Sequence, residues 1–85
     1  MDYYEFDELA TRTLKHLSQE LPECALDTMT SFLQAGELQL MLEELTATIR
    51  SARIDVEPEL RSEIAQMLAF VDLPAKMIDC VPTPR

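Results

Sequence analysis

Gly36 is the only glycine in this chain, and helical periodicity runs into it from one side and restarts directly on the other. Between Thr30 and Ile49 the sequence reads TSFLQAGELQLMLEELTATI. Before the glycine, Leu26, Met29, Phe32 and Leu33 recur at three- and four-residue steps, as one buried helix stripe requires. After it, Leu38, Met41 or Leu42, Leu45, Ile49 and Ala52 do the same, and Leu40 and Met41 widen that face. Glycine adopts the left-handed conformation that closes a helix at no steric cost. A connection this short makes the two helices neighbours, so the centre of the chain reads as a helical hairpin.

The flanking segments extend the pattern to four helices. From about Tyr3 to Leu17, the residues Tyr3, Phe6, Leu9 or Ala10, Thr13 or Leu14, and Leu17 share one face. On this reading Tyr3 belongs to the core and Tyr4 falls off it. Asp2 suits an N-cap, with Glu5 three residues on in capping-box position. Asp7 and Glu8 come early, and Arg12, Lys15 and His16 late, which complements the helix dipole. Pro22 marks the start of the second helix, which ends at Gly36, and the third runs from about Glu37 to Ser51. Ile54 and Val56 then alternate with Asp55 and Glu57, consistent with a very short extended stretch. The fourth helix spans about Pro58 to Phe70, burying Leu60, Ile64, Met67, Leu68 and Val71, with Arg61 one turn from Glu57. Beyond about residue 72, Pro74, Pro82 and Pro84 prevent a long final helix, leaving room for one turn between Ala75 and Cys80. The expected fold is all-α: a single domain over residues 1–85, built as a compact antiparallel bundle of about four short helices, with an irregular tail.

At 85 residues the core is small, since such a chain buries only about 60–65% of its unfolded surface. The apolar share of 47% is enough to form that core despite a net charge of −9, and it argues against disorder. The charge is the second constraint. Sixteen Asp plus Glu stand against seven Lys plus Arg, with no cationic cluster, so direct binding to nucleic acid or an anionic membrane is disfavoured. The acid excess reads either as a device for solubility or as a binding face for a basic partner, for which complementary fields speed encounter and set specificity. MDYYEFDELATR lacks the basic and apolar regions of a signal peptide, and no apolar run approaches the ~20 residues of a membrane span. Cytoplasmic localisation follows as the expectation, with Cys24 and Cys80 as free thiols.

Catalysis finds no support in the residues. Phosphate loops, dinucleotide fingerprints and nucleophile elbows need several glycines, and two cysteines with one histidine make no zinc site. His16 lies four residues from both Arg12 and Glu20, as in an ordinary surface pair. The chain therefore reads as a non-enzyme without cofactor or metal. Its carboxylates fall in three concentrations. Asp2, Glu5, Asp7 and Glu8 mix with Tyr3, Tyr4 and Phe6 near the N-terminus, Glu37, Glu43 and Glu44 lie around the third helix, and Asp55, Glu57, Glu59 and Glu63 surround the start of the fourth. Of these, the nine candidate partner contacts are Tyr4, Asp7, Glu8, Glu43, Glu44, Asp55, Glu57, Glu59 and Glu63. The last group reads as the purest acidic patch, and Tyr4 as a possible anchor, since tyrosines are enriched at interface hot spots.

FLQAGELQLMLEELTATI, followed by a short connection, further carboxylates and another amphipathic helix, resembles small bacterial toxin-immunity proteins. The resemblance is to the MafI-like and contact-dependent growth inhibition immunity proteins, in which an apolar helix ends in a Gly-Glu step and a leucine-rich helix follows. It is carried by Phe32, Gly36, Glu37, Leu38, Leu42, Leu45 and Ile49, and covers about half the chain. The chain is also similar to the acidic four-helix immunity proteins of nuclease colicins. Their paired tyrosine sits on a late short helix, so its role does not carry over to Tyr3 and Tyr4.

The resemblance implies stoichiometric binding to a cognate secreted toxin, a basic nuclease above all, by masking its active site or substrate-binding surface. The inhibitor would act as a monomer or weak dimer. The alternative is a non-catalytic helical interaction module or obligate dimer subunit working through an apolar face. A nucleic-acid mimic shares the charge argument.

Overall fold

A computed structural model describes residues 1–79. Its elements are α1 (Tyr3–His16), α2 (Glu23–Gln34), α3 (Leu38–Ala52), α4 (Pro58–Phe70) and a single turn, α5 (Lys76–Asp79). Cys80 and the rest of the tail lie outside the described residues. The expected all-α bundle is the observed fold.

Local chemistry explains where the helices begin and end. Asp2 is extended, and its Oδ1 accepts the Glu5 backbone N–H at 2.8 Å, capping α1. Pro22 and Glu57 occupy the N-cap positions of α2 and α4, and Pro58 pre-sets the first turn of α4. Three helices end the same way. At Gly36 (φ +76°) the Glu37 N–H donates to the Phe32 carbonyl and the Gly36 N–H to that of Leu33. At Arg53 (φ +55°) the Ile54 N–H reaches Ile49 and the Arg53 N–H reaches Arg50. At Asp72 (φ +61°) the Leu73 N–H reaches Leu68 and the Asp72 N–H reaches Ala69. Each is a Schellman closure, with one residue in the left-handed region. Glycine fills that position once; arginine and aspartate fill it twice, at a steric cost glycine does not carry.

Contacts at the two ends of the molecule give the topology. Tyr3, Gly36, Leu38, Gln39 and Phe70 gather at one end, and the Gln39 Nε2 donates to the Val71 carbonyl at 2.6 Å. The start of α1, the end of α2, the start of α3 and the end of α4 therefore meet there, so the helices run up, down, up, down. Each helix packs on its sequence neighbour, and α4 closes the ring against α1. The α2–α3 hairpin makes the most extensive interhelical contact.

Inside the ring, Phe6, Met29, Met41, Leu42, Leu45, Ile49, Ile64, Met67 and Leu68 are fully enclosed. Ile54 and Val56, in the α3–α4 connection, are buried while Asp55 and Glu57 face solvent; the alternation holds without any strand among the described residues. Among the described residues Thr13 and Thr46 are the buried polar ones, and their hydroxyls donate to the Leu9 and Leu42 carbonyls at 2.8 and 2.9 Å. That internal bond satisfies each hydroxyl without a partner helix.

Several expectations are corrected. Tyr3 is 74% exposed rather than in the core, although Phe6, one turn on along the same face, is fully buried. Its ring instead stands edge-on to Phe70, 5.2 Å between centroids, and Phe70 leans in turn on Phe6 at 5.6 Å. Leu40 is 44% exposed and Ala52 is exposed, so the apolar face of α3 is narrower than its sequence suggests. On α2 only Met29 is fully buried, whereas Leu26, Phe32 and Leu33 are half-buried. Val71 lies past the end of α4 and is half-buried. Beyond these corrections, Arg61 Nη1 donates to the Ile78 carbonyl of α5 at 2.7 Å.

Candidate functional site

The nine candidate contact residues do not fold onto one surface. Glu57, Glu59 and Glu63, at the start of α4, line a shallow depression of about 140 Å³ together with Arg12 and His16 from the end of α1 and Leu60. Antiparallel packing of α1 on α4 causes this meeting, because it sets a basic helix end beside an acidic helix start. Arg12 Nη2 donates to Glu63 Oε1 at 3.1 Å, with side chains 66% and 31% exposed. A pair this wet contributes about 0.2–1 kcal/mol. The group read from sequence as the purest acidic patch is thus a mixed-charge face, on which Glu63 already has a cationic partner. Asp55 is exposed in the preceding connection.

Tyr4, Asp7 and Glu8 lie on a second surface. All three are exposed, Tyr4 at 86%. Tyr4, Asp7, Thr11, Leu14 and Ser18 follow one another at three- and four-residue steps, so they form one row along α1. The lower part of this row, from Thr11 to Ser18, borders α2. Sequence reading missed this placement, because which flank of α1 meets α2 is a property of the packing.

Glu43 and Glu44 lie on α3, on opposite flanks. Glu43 is exposed on the side of Gln39, while Glu44 is half-buried in the α2–α3 seam among Pro22, Ala25, Ala47, Thr48 and Ser51. Cys24, an exposed free thiol, borders the same seam. The three carboxylate groups that looked comparable in sequence therefore differ in kind: one partly neutralised, one flanking a helix–helix seam, one split across a helix.

Chemically the surface offers ion pairing and aromatic contact. Among the described residues, no three of His, Cys, Asp and Glu are grouped so as to hold a metal ion. Among the same residues no helix is long and apolar enough to cross a membrane. Compared with known proteins, the chain matches no family model, no curated protein and no solved structure.

Proposed function

We propose that this chain is an immunity protein that binds a cognate secreted bacterial toxin, a nuclease by preference, and neutralises it one to one in the cytoplasm. The observation that carries the reading is charge on a rigid frame. A net charge of −9 is displayed by a closed four-helix ring, and of the nine candidate contacts seven are fully exposed and two half-buried. A basic nuclease surface, shaped for phosphates, is the complement of such a frame. Carboxylates would steer association and make it salt-dependent, while a central anchor such as Tyr4 would supply much of the affinity. The resemblance of the helix–Gly36–Glu37–helix segment to toxin-immunity families points the same way.

Co-expression tests the proposal. Cells producing the toxin domain encoded beside this chain should survive when the chain is present and die when it is absent. Death in both cases would overturn the reading. Charge reversal at Glu57 and Glu59 tests the mechanism separately. Loss of protection assigns the contact to the α1–α4 face, and full protection moves it to the Tyr4 side.

Leu40 favours a second reading. This large apolar side chain, 44% exposed on α3, would suit a helical interaction module or a dimer subunit. Light scattering separates the two. A tight, salt-insensitive dimer abolished by Leu40→Glu would support the module, and a monomer would remove that support.

A further inference from the structure

We propose that the groove between α1 and α2 is a docking site for an amphipathic helix of a partner protein, one whose apolar stripe is flanked by lysines or arginines. The inference does not depend on that partner being a toxin.

The groove has a volume of about 230 Å³ and is lined by Thr11, Leu14, Lys15 and Ser18 from α1 and by Leu26, Thr30 and Leu33 from α2. Its floor is apolar. Leu14 is buried, but Leu26 and Leu33 stay half-buried, although their spacing belongs to the core stripe. Leu26 and Leu33, seven positions apart on one face of α2, leave apolar surface uncovered in this groove, and covering it would contribute about 25 cal/mol per Å².

Shape selects a helix as the occupant. From Thr11 to Ser18 and from Leu26 to Leu33 there are seven residue steps each, roughly 10 Å along either helix, or about two helical turns. A helix laid between them would offer anchors at i, i+3 or i+4, and i+7, and complete the kind of packing the bundle uses internally. The described backbone offers no sheet edge to an extended strand.

Charge selects the flanks. Asp7 continues the α1 row above Thr11, and Glu8 adjoins it. On α2, Glu23 lies three residues before Leu26 and seven before Thr30, in the same row, with Asp27 beside it. These four exposed carboxylates lie around the groove rather than in its lining, where Lys15 is the one charged residue, and they outnumber it. Exposed Tyr4, at the upper end of the row, offers an aromatic face to a lysine or arginine.

The probe is a synthetic peptide of about 14 residues, leucines at helical spacing and lysines on the flanks, titrated into the isotope-labelled chain and followed by amide chemical shifts. Perturbations should concentrate on Thr11, Leu14, Lys15, Ser18, Leu26, Thr30 and Leu33. A scrambled peptide of the same composition should bind roughly tenfold more weakly. Thr30→Arg and Ser18→Arg alter exposed positions, so the fold should persist by circular dichroism, and each should weaken binding by about tenfold. Equal binding of the scrambled peptide would mean attraction by charge alone and would overturn the proposal. So would shifts centred on Arg12 and Glu63, or affinity unchanged in both arginine variants. These outcomes are separable from the toxin reading, which is judged by survival of cells.

Discussion

α2 and α3 leave the Gly36 turn as partners in one hairpin, yet they do different things. Both carry an apolar stripe at helical spacing. α3 buries Met41, Leu42, Leu45, Thr46 and Ile49, whereas α2 buries Met29 and leaves Leu26, Phe32 and Leu33 half-covered. α3 packs on α2 and α4 and also receives the buried Ile54 at its Schellman closure. α2 packs on α3 over most of its length and on α1 more lightly. The same sequence pattern thus yields a structural axis in one helix and a cover with apolar surface to spare in the other. Stability should reside with α3, and recognition with α2 and the flank of α1 beside it.

Paired truncations give the largest effect. Leu45→Ala should cost about 2–5 kcal/mol, since the site is fully enclosed, while Leu26→Ala should cost about 1 kcal/mol. Denaturant unfolding of the two variants would break the comparison if their losses were equal. At the turn joining the two helices, Gly36→Ala should cost about 1–2 kcal/mol. No atom lies within 4 Å of the added methyl, so that loss is backbone conformation alone. Conversely Arg53→Gly, at the other end of α3, should raise stability by about 0.5 kcal/mol, because relief of the left-handed arginine outweighs the added chain entropy. Both show in thermal unfolding. The smallest effect belongs to the α1–α4 surface: Arg12→Ala should change stability by about 0.5 kcal/mol at low salt and less at high salt.

Much of this bundle was legible in the chain. Gly36 announces its turn because no other residue takes the left-handed region freely, and Pro58 announces α4 at its observed first residue. Asp2 read correctly as a cap. Arg53 and Asp72 did not announce themselves, since nothing local marks an arginine or an aspartate as a Schellman residue; the buried Ile54 and Leu68 around them impose the turn. Tyr3 departs from its periodicity because spacing says which face a residue is on, not how completely its neighbours cover it: its ring meets Phe70 edge-on and stays largely exposed. The candidate site was less legible. Spacing identified exposed carboxylates, but the pairing of Arg12 with Glu63 and the separation of Glu43 from Glu44 depend on which helices touch. Surface grouping is a tertiary property, and one-dimensional charge clusters do not encode it.

Titration of the purified chain against the purified toxin domain is the sharpest check on the proposed one-to-one inhibition of a basic toxin. Residual toxin activity should fall linearly to zero at one equivalent of chain, with the complex weakening as salt rises. Full activity in the presence of a large excess of the chain would contradict the account.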